Sequence, residues 1–461
     1  MNVEHPGRST LFSTGTARPP GPRGSAMLAG ALPGAAPRTR FFADAARAFP
    51  GLAHLKVAGE HVYLVNRPDL VWALLVTNGR FTMKGRALQR AKDLLGDGLL
   101  TSEGELWRRQ RRLVQPAFHR DRIRGYAQQM VATTLEHEAG WAEGAEVDLA
   151  QDMSALTLRI VGRTLFGVDL RHDSRHVGPA LTEVLEGFQR RMVPGADLLL
   201  RLPTRSNRRL ADAGRRLDDV VQRLIDDHRG RGDTGDVLSM LLATDDDDAT
   251  MSDQQVRDET MTLVLAGHET TAMALTWAWY LLATHPATAR ALRRELADVL
   301  ADRPPTFDDL ARLPLTTAVF AETMRLYPPA WIVGRRVTSD ITLDGWPVPA
   351  GSLAVASQWV QHRDPRWWSS PLAFRPDRWL LPDGRFDERA PDVPRGAWFP
   401  FGLGQRVCIG EPFAWAEGPL VLATLAPRWA PEHLPGHAVE VLPAVTLRPR
   451  EGMPMRLRRR S

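Results

Sequence analysis

A single cysteine, Cys408, serves the whole 461-residue chain. One cysteine excludes a disulfide framework within the chain and any cysteine-rich zinc or iron–sulfur centre built by this chain alone, and it fits a reducing compartment. Lysine is nearly as scarce, with only Lys56, Lys84 and Lys92, so the formal net charge of +5 is carried by arginine. That excess is too small and too scattered to argue for nucleic acid as a partner. The start, "MNVEHPGRSTLFSTGTARPPGPRG", lacks a basic stretch followed by an apolar run and any span able to cross a bilayer, which predicts a cytoplasmic protein with no transmembrane anchor. Residues 1–20 read as a disordered lead-in ending at the "PPGP" brake, Pro19 to Pro22. No Ser/Gly linker and no internal repeat follows, so residues 21–461 read as one continuous domain.

What is present is an ordinary globular composition, 43% hydrophobic and 25% charged, sufficient for a large core. Short β-rich pieces appear in "HLKVAGEHVYLVN" and in "RRVTSDITLDGWPVPAGSLAVAS", with turns at Asp344-Gly345 and Ala350-Gly351. The long middle is helical by period, in "DMSALTLRIVGRTLFG", "DAGRRLDDVVQRLIDDH" and the stretch from Ser252 to Pro286. Ser252 and Gln255 form a capping box and Pro286 a stop, which predicts one unusually long helix. The acidic run Asp245 to Asp248 reads as a solvated loop, since no second ligand set or EF-hand spacing accompanies it.

Four motifs carry chemistry. In "FPFGLGQRVCIG", Gly402, Gly404 and Gly410 permit tight turns and close approach of a flat ligand, and Pro412 suits the first turn of the following helix. A cysteine just before a helix N-terminus faces free amides that favour its thiolate, a strong metal ligand, although a lone cysteine is more often a small core residue. In "AGHETT", an acid beside an alcohol inside an apolar helix is costly unless used. Ala266 and Gly267 are small enough for a ligand to lie against the helix, and a threonine hydroxyl can bond back to the carbonyl four residues earlier. The zinc-protease pattern fails there because position 272 is alanine. Glu322 and Arg325 in "AETMRLYPP" share a helix face, and "WRRQRR", Trp107 to Arg112, is a basic helical stretch.

"FGLGQRVCIG" resembles the haem-binding loop of the cytochrome P450 superfamily, with Phe401, Gly404, Arg406, Cys408 and Gly410 at every patterned position. "AGHETT" resembles the oxygen-activation motif of the same superfamily, with Glu269 where many members have Asp, and His268 has no assigned role. The motifs occur in family order from about residue 100 to 417. The resemblance implies a mainly α fold with small β-sheets (α+β), a single large helical domain enclosing haem b (iron-protoporphyrin IX). It implies that Cys408 is the axial ligand, that Phe401 packs near the sulfur, and that Arg406, Trp107, Arg111 and Arg335 contact haem propionates, Arg336 being the alternative to Arg335. Thr270 and Glu269 would serve oxygen activation and proton delivery. Glu322, Arg325 and Arg378 would form a buried structural network.

The same resemblance implies a monooxygenase that hydroxylates a small molecule with O2 and two electrons from a separate ferredoxin and ferredoxin reductase, docking near Arg108, Arg109 and Arg112, in a monomer. Leu263, Ala266, Ala330, Trp331, Ile332, Val333 and Val445 would line the pocket, and their apolar character favours a lipophilic substrate such as a terpene or carotenoid over a fatty acid. A peroxide-dependent member of the fold and a non-catalytic haem sensor are the alternatives; the retained acid–alcohol pair argues against both.

Overall fold

The computed structural model describes residues 18–22, 38–57, 59–170, 180, 183, 184, 187, 204–230, 235–243, 251–389 and 393–460. Most of the expected lead-in, and the acidic run at 245–248, lie outside these residues. The last two positions of that lead-in are not loose: Pro19 is buried and the Pro20 carbonyl accepts a hydrogen bond from His54 N at 3.2 Å.

Both β-rich stretches join one sheet. Strands β1 (Leu52–Val57), β2 (Glu60–Val65) and β3 (Thr82–Lys84) come from the first part of the chain. Helices α1 (Gly104–Val114), α2 (Arg120–Glu138), α3 (Leu149–Leu165), α4 (Arg205–Arg229), α5 (Asp253–Thr284) and α6 (Pro314–Leu326) follow. Strands β4 (Val333–Val337) and β5 (Leu353–Ala356) then complete a sheet of order β1-β2-β5-β4-β3. Only β2 and β5 run parallel; the other neighbours are antiparallel, and β3 meets β4 with Lys84 opposite Arg335. Helix α7 (Glu411–Leu425) and a hairpin of β6 (Val441–Pro443) and β7 (Leu447–Pro449) follow, before a last strand, β8 (Pro454–Arg456).

The long predicted helix forms with the predicted capping box: Ser252 and Gln255 satisfy each other's backbone N–H groups. It ends at Thr284, and Pro286 opens the next helix, where its missing N–H costs nothing. This helix is buried nearly all round, as expected of a central element. Helix α3 crosses it closely. A Cβ on Gly267 would lie 3.0 Å from Val161 of α3, and Thr157 of α3 donates to the His268 carbonyl at 3.0 Å. Gly267 is thus a helix-packing position, a correction to the expectation that it opens the helix face to a ligand.

Candidate active site

The Cys408 loop is shaped by its first two glycines. Gly402 and Gly404 have φ of 77° and 73°, and a Cβ on Gly404 would sit 2.3 Å from the Leu75 carbonyl oxygen. Gly410 makes its turn at a negative φ of −82° and serves as the N-cap of α7. Cys408 N donates to the Phe401 carbonyl at 2.9 Å, which fixes the loop, and the Phe401 ring packs against Trp415 at 5.8 Å. The thiol is accessible although protein surrounds it deeply, as befits a side chain that borders an interior space. Burial pushes the thiol up, against the amides of Gly410 and Glu411 and the charge of Arg111, all of which pull it down. The helix-end effect read from the sequence is present, but desolvation outweighs it for the free thiol.

Beside the loop lies a cluster of buried cations. Arg406 stacks over the Trp107 ring at 4.6 Å and pairs with Glu103, while its buried Nε and Nη1 have no partner. Arg335 is 7% exposed, its side chain reaches only the Gly334 carbonyl at 3.2 Å, and burial holds its guanidinium down to about 10. Arg336, one residue on, is less buried. Arg111 donates to the Val407 carbonyl at 2.6 Å, bracing the cysteine loop. Lys84 is buried and held down to about 7 by desolvation. Buried guanidinium donors without acceptors are costly, so this cluster matches a ligand that brings carboxylates. Haem, with two propionates and an iron for Cys408, fits that donor set. Trp107, Arg111, Arg335 and Arg406 would hold it.

On α5, Ala266 is exposed in the middle of an otherwise buried helix, so it faces an interior space, and Thr270 is half-buried one turn on. The Thr270 hydroxyl donates to the Ala266 carbonyl at 2.8 Å, which leaves its oxygen lone pairs free to accept. Glu269 is turned elsewhere. Its Oε1 accepts from Thr446 Oγ1 at 2.9 Å and pairs as an ion with Arg448 Nε at 2.8 Å. His268 is buried, with Nδ1 on the Val264 carbonyl at 3.0 Å, and burial lowers its pKa. Its role is therefore that of a neutral core residue.

The structure brings Glu322, Arg325 and Arg378 together around one carboxylate, which accepts from Arg325 at 2.8 Å and from Arg378 at 3.1 Å. Of the expected pocket residues, Ala330 is exposed and Ile332, Val333 and Val445 are half-buried, while Leu263 is 6% exposed. Trp331 departs from the expectation. It is 2% exposed, and its indole N–H donates to the Ala444 carbonyl at 2.8 Å, so it tethers the C-terminal hairpin from behind.

Several residues escaped the sequence reading. Glu103 and Lys84 carried no local signal beyond the rarity of lysine. Thr446 ends the hairpin turn and Arg448 lies in β7 two residues on, and only the tertiary fold delivers them to Glu269. Glu417 of α7 is fully buried with neither carboxylate oxygen hydrogen-bonded, and burial pushes it up to about 8.

Comparison with known proteins agrees with this geometry. The family model for cytochrome P450 matches residues 19–444. The chain is 42% identical over 401 residues to cyclooctatin synthase of Streptomyces melanosporofaciens, covering 86% of each chain. It is 36% identical to pentalenene oxygenase of Streptomyces avermitilis, covering 87% of this chain and 91% of the relative. Among solved structures, the haem domain of cytochrome P450DA superposes with a TM-score of 0.81 at 27% identity, over 92% of this chain and 93% of that one. A six-coordinated cytochrome P450 from Thermus thermophilus gives a TM-score of 0.71 at 30% identity, over 91% of this chain and 98% of that one.

Proposed function

The chain belongs to the cytochrome P450 family and is a haem-thiolate monooxygenase, and on that premise we propose that it hydroxylates a cyclic terpene or terpene alcohol. The observation that carries the substrate class is the relatives: cyclooctatin synthase, cyclooctat-9-en-7-ol 5-monooxygenase and pentalenene oxygenase all match across more than four-fifths of this chain. The exposed or half-buried Ala330, Ile332, Val333 and Val445 offer apolar contacts and no charge for a carboxylate, which supports the same reading.

When bound, haem supplies the chemistry: O2 is reduced with two electrons and two protons, one oxygen entering a C–H bond and the other leaving as water. The chain's own part is to hold and to aim. Cys408 supplies the one sulfur such a group needs. Arg406, Arg335, Arg111 and Trp107 fix the propionate side. Thr270, with its hydroxyl proton committed to the Ala266 carbonyl, presents lone pairs that can receive a proton from the relay and pass on its own. Glu269 is the acid nearest in sequence to that alcohol.

The electron supply is a separate ferredoxin-type protein. Arg108 and Arg112 are exposed on α1, with Arg109 half-buried between them, beside the helix that carries Trp107 and Arg111. An acidic donor would dock there, so Arg112→Glu should slow reduction at low salt and lose that effect at high salt. The boundary near residue 20, a monomeric state and a cytoplasmic site belong to the same proposal; among the described residues no helix is long and apolar enough to cross a membrane.

The test of substrate class is spectroscopic. Cyclic terpene hydrocarbons and alcohols should shift the resting enzyme from low to high spin, and fatty acids should not; a shift with fatty acids alone overturns the terpene assignment. Cys408→Ala should abolish the thiolate-type spectrum of the reduced carbon monoxide complex.

A further inference from the structure

We propose that the C-terminal hairpin is a latch on Glu269, with Arg448 and Thr446 as positioning residues that set when this carboxylate can serve proton delivery. The inference rests on the monooxygenase reading above and concerns residues that the motifs do not include. Two contacts on one oxygen carry it. Glu269 Oε1 accepts from the Thr446 hydroxyl at 2.9 Å and forms an ion pair with Arg448 Nε at 2.8 Å, while Arg448 Nε donates to Thr446 Oγ1 at 3.3 Å. The three groups form a closed triangle with little solvent access: the side chains of Arg448 and Glu269 are 17% and 7% exposed. A charge-assisted pair in such surroundings is much stronger than one at the surface.

The hairpin is in turn tied to the walls of the interior space. Its turn holds Val445 between Ala444 and Thr446. The Ala444 carbonyl takes the Trp331 indole at 2.8 Å, Leu447 N donates to the Pro329 carbonyl at 3.0 Å, and the Leu447 carbonyl takes the Trp277 indole of α5 at 2.9 Å. Val445 and Arg448 thus belong to one short, braced element, three residues apart. A ligand pressing on Val445 moves the element that holds Glu269. The arrangement couples what fills the pocket to the freedom of the acid, whereas a carboxylate held by a hydroxyl and a guanidinium cannot swing toward Thr270. His268 does not compete for the acid, since its Nε2 is 3.9 Å from Glu269 Oε2 and its Nδ1 is committed to Val264.

The test is a double-mutant cycle on the holoenzyme with Arg448→Gln, Glu269→Gln and both together, plus Arg448→Lys as the conservative variant. The first readout is hydrogen exchange of the amides of Val441, Leu442 and residues 444–448 in the ligand-free protein, which needs no turnover. Each single variant should speed exchange about tenfold or more, the scale of one charge-assisted hydrogen bond, and the double variant should add little. Arg448→Lys should restore most of the protection. The second readout is electron consumption without substrate, which should rise several-fold in Arg448→Gln and return toward the parent in Arg448→Lys. Unchanged exchange in Arg448→Gln, or additive effects in the double variant, overturns the latch. Coupled exchange with unchanged electron consumption also overturns it, since the contact would then be merely structural. If the exchange cycle holds while no lipophilic compound is oxidised, the contact stands and the substrate reading falls, so the two failures are distinguishable.

Discussion

Glu322 and Glu417 are both cut off from solvent, yet their surroundings are opposite. The Glu322 carboxylate accepts from Arg325 Nε and Nη2, Arg375 N, Arg378 Nε and Trp379 Nε1, all within 3.1 Å. Neither Glu417 oxygen accepts a hydrogen bond, and the pull of the Thr271 hydroxyl toward the ionised form is outweighed by burial. Arg406, with Nε and Nη1 unpartnered, stands on the Glu417 side of this divide and Arg325 on the other. Saturated buried charge is architecture. Undersaturated buried charge marks where the chain meets something outside itself or carries a proton rather than a charge.

The comparison predicts its largest effect at the saturated centre. Glu322→Ala leaves Arg325 buried with no counter-ion, which should cost about 3–5 kcal/mol. The expected outcome is little soluble holoprotein and a sharply lowered thermal midpoint. A variant as stable as the parent would show that the network is not the strut it resembles.

Glu417 should make stability depend on pH. Its folded pKa is raised from the usual 4.5 to about 8, so its proton is bound more tightly in the folded state. The sign follows: its contribution to stability is whole below pH 4.5 and is lost as the pH climbs to about 8, by at most about 1.4 kcal/mol per pH unit. Glu259 and Glu411, both pushed up to about 7 by burial, add slope in the same direction. Glu417→Gln keeps the shape of the protonated acid and should flatten the fall of thermal midpoint between pH 5 and 8. An identical slope in parent and variant would mean that Glu417 is ionised in the fold.

Next in size is the unsaturated guanidinium. Arg406→Gln should change the thermal midpoint less than Glu322→Ala does, but speed haem transfer to apomyoglobin about 10- to 100-fold, the scale of a lost charged hydrogen bond of about 1.5–3 kcal/mol. Arg335→Gln should act in the same direction. Haem release at the parent's rate in both variants would assign the cluster to folding alone.

These contrasts also explain what was legible in the sequence. The long helix was readable because its capping box, its period and Pro286 are local signals. The cysteine loop was readable because two of its glycines hold left-handed backbone that other residues rarely adopt, while Gly410 turns at a negative φ. Gly267 was misread: a missing side chain looks alike whether a ligand or a helix fills the space, and here Val161 fills it. Glu103, Thr446 and Arg448 were invisible because each has a partner far away in sequence, and Glu417 because its burial is set by the tertiary fold. The partner of Glu103 is Arg406, and those of Thr446 and Arg448 meet at Glu269.

The smallest expected effect decides between two readings of one residue. Trp331 was expected to line the pocket from its place in "PPAWIVG", but it is buried, stands edge-on to Phe42 at 5.9 Å and donates to Ala444. Trp331→Phe keeps a ring there and removes only the indole N–H. As a tether, the residue should lose about 1 kcal/mol of stability, the net value of one hydrogen bond, while the affinities read from the spin shift change less than about threefold. As a pocket wall, it should do the reverse, with affinity falling about tenfold and stability held. The first outcome places Trp331 with Glu322, among residues whose partners all lie within the chain; the second moves it to the side of Arg406.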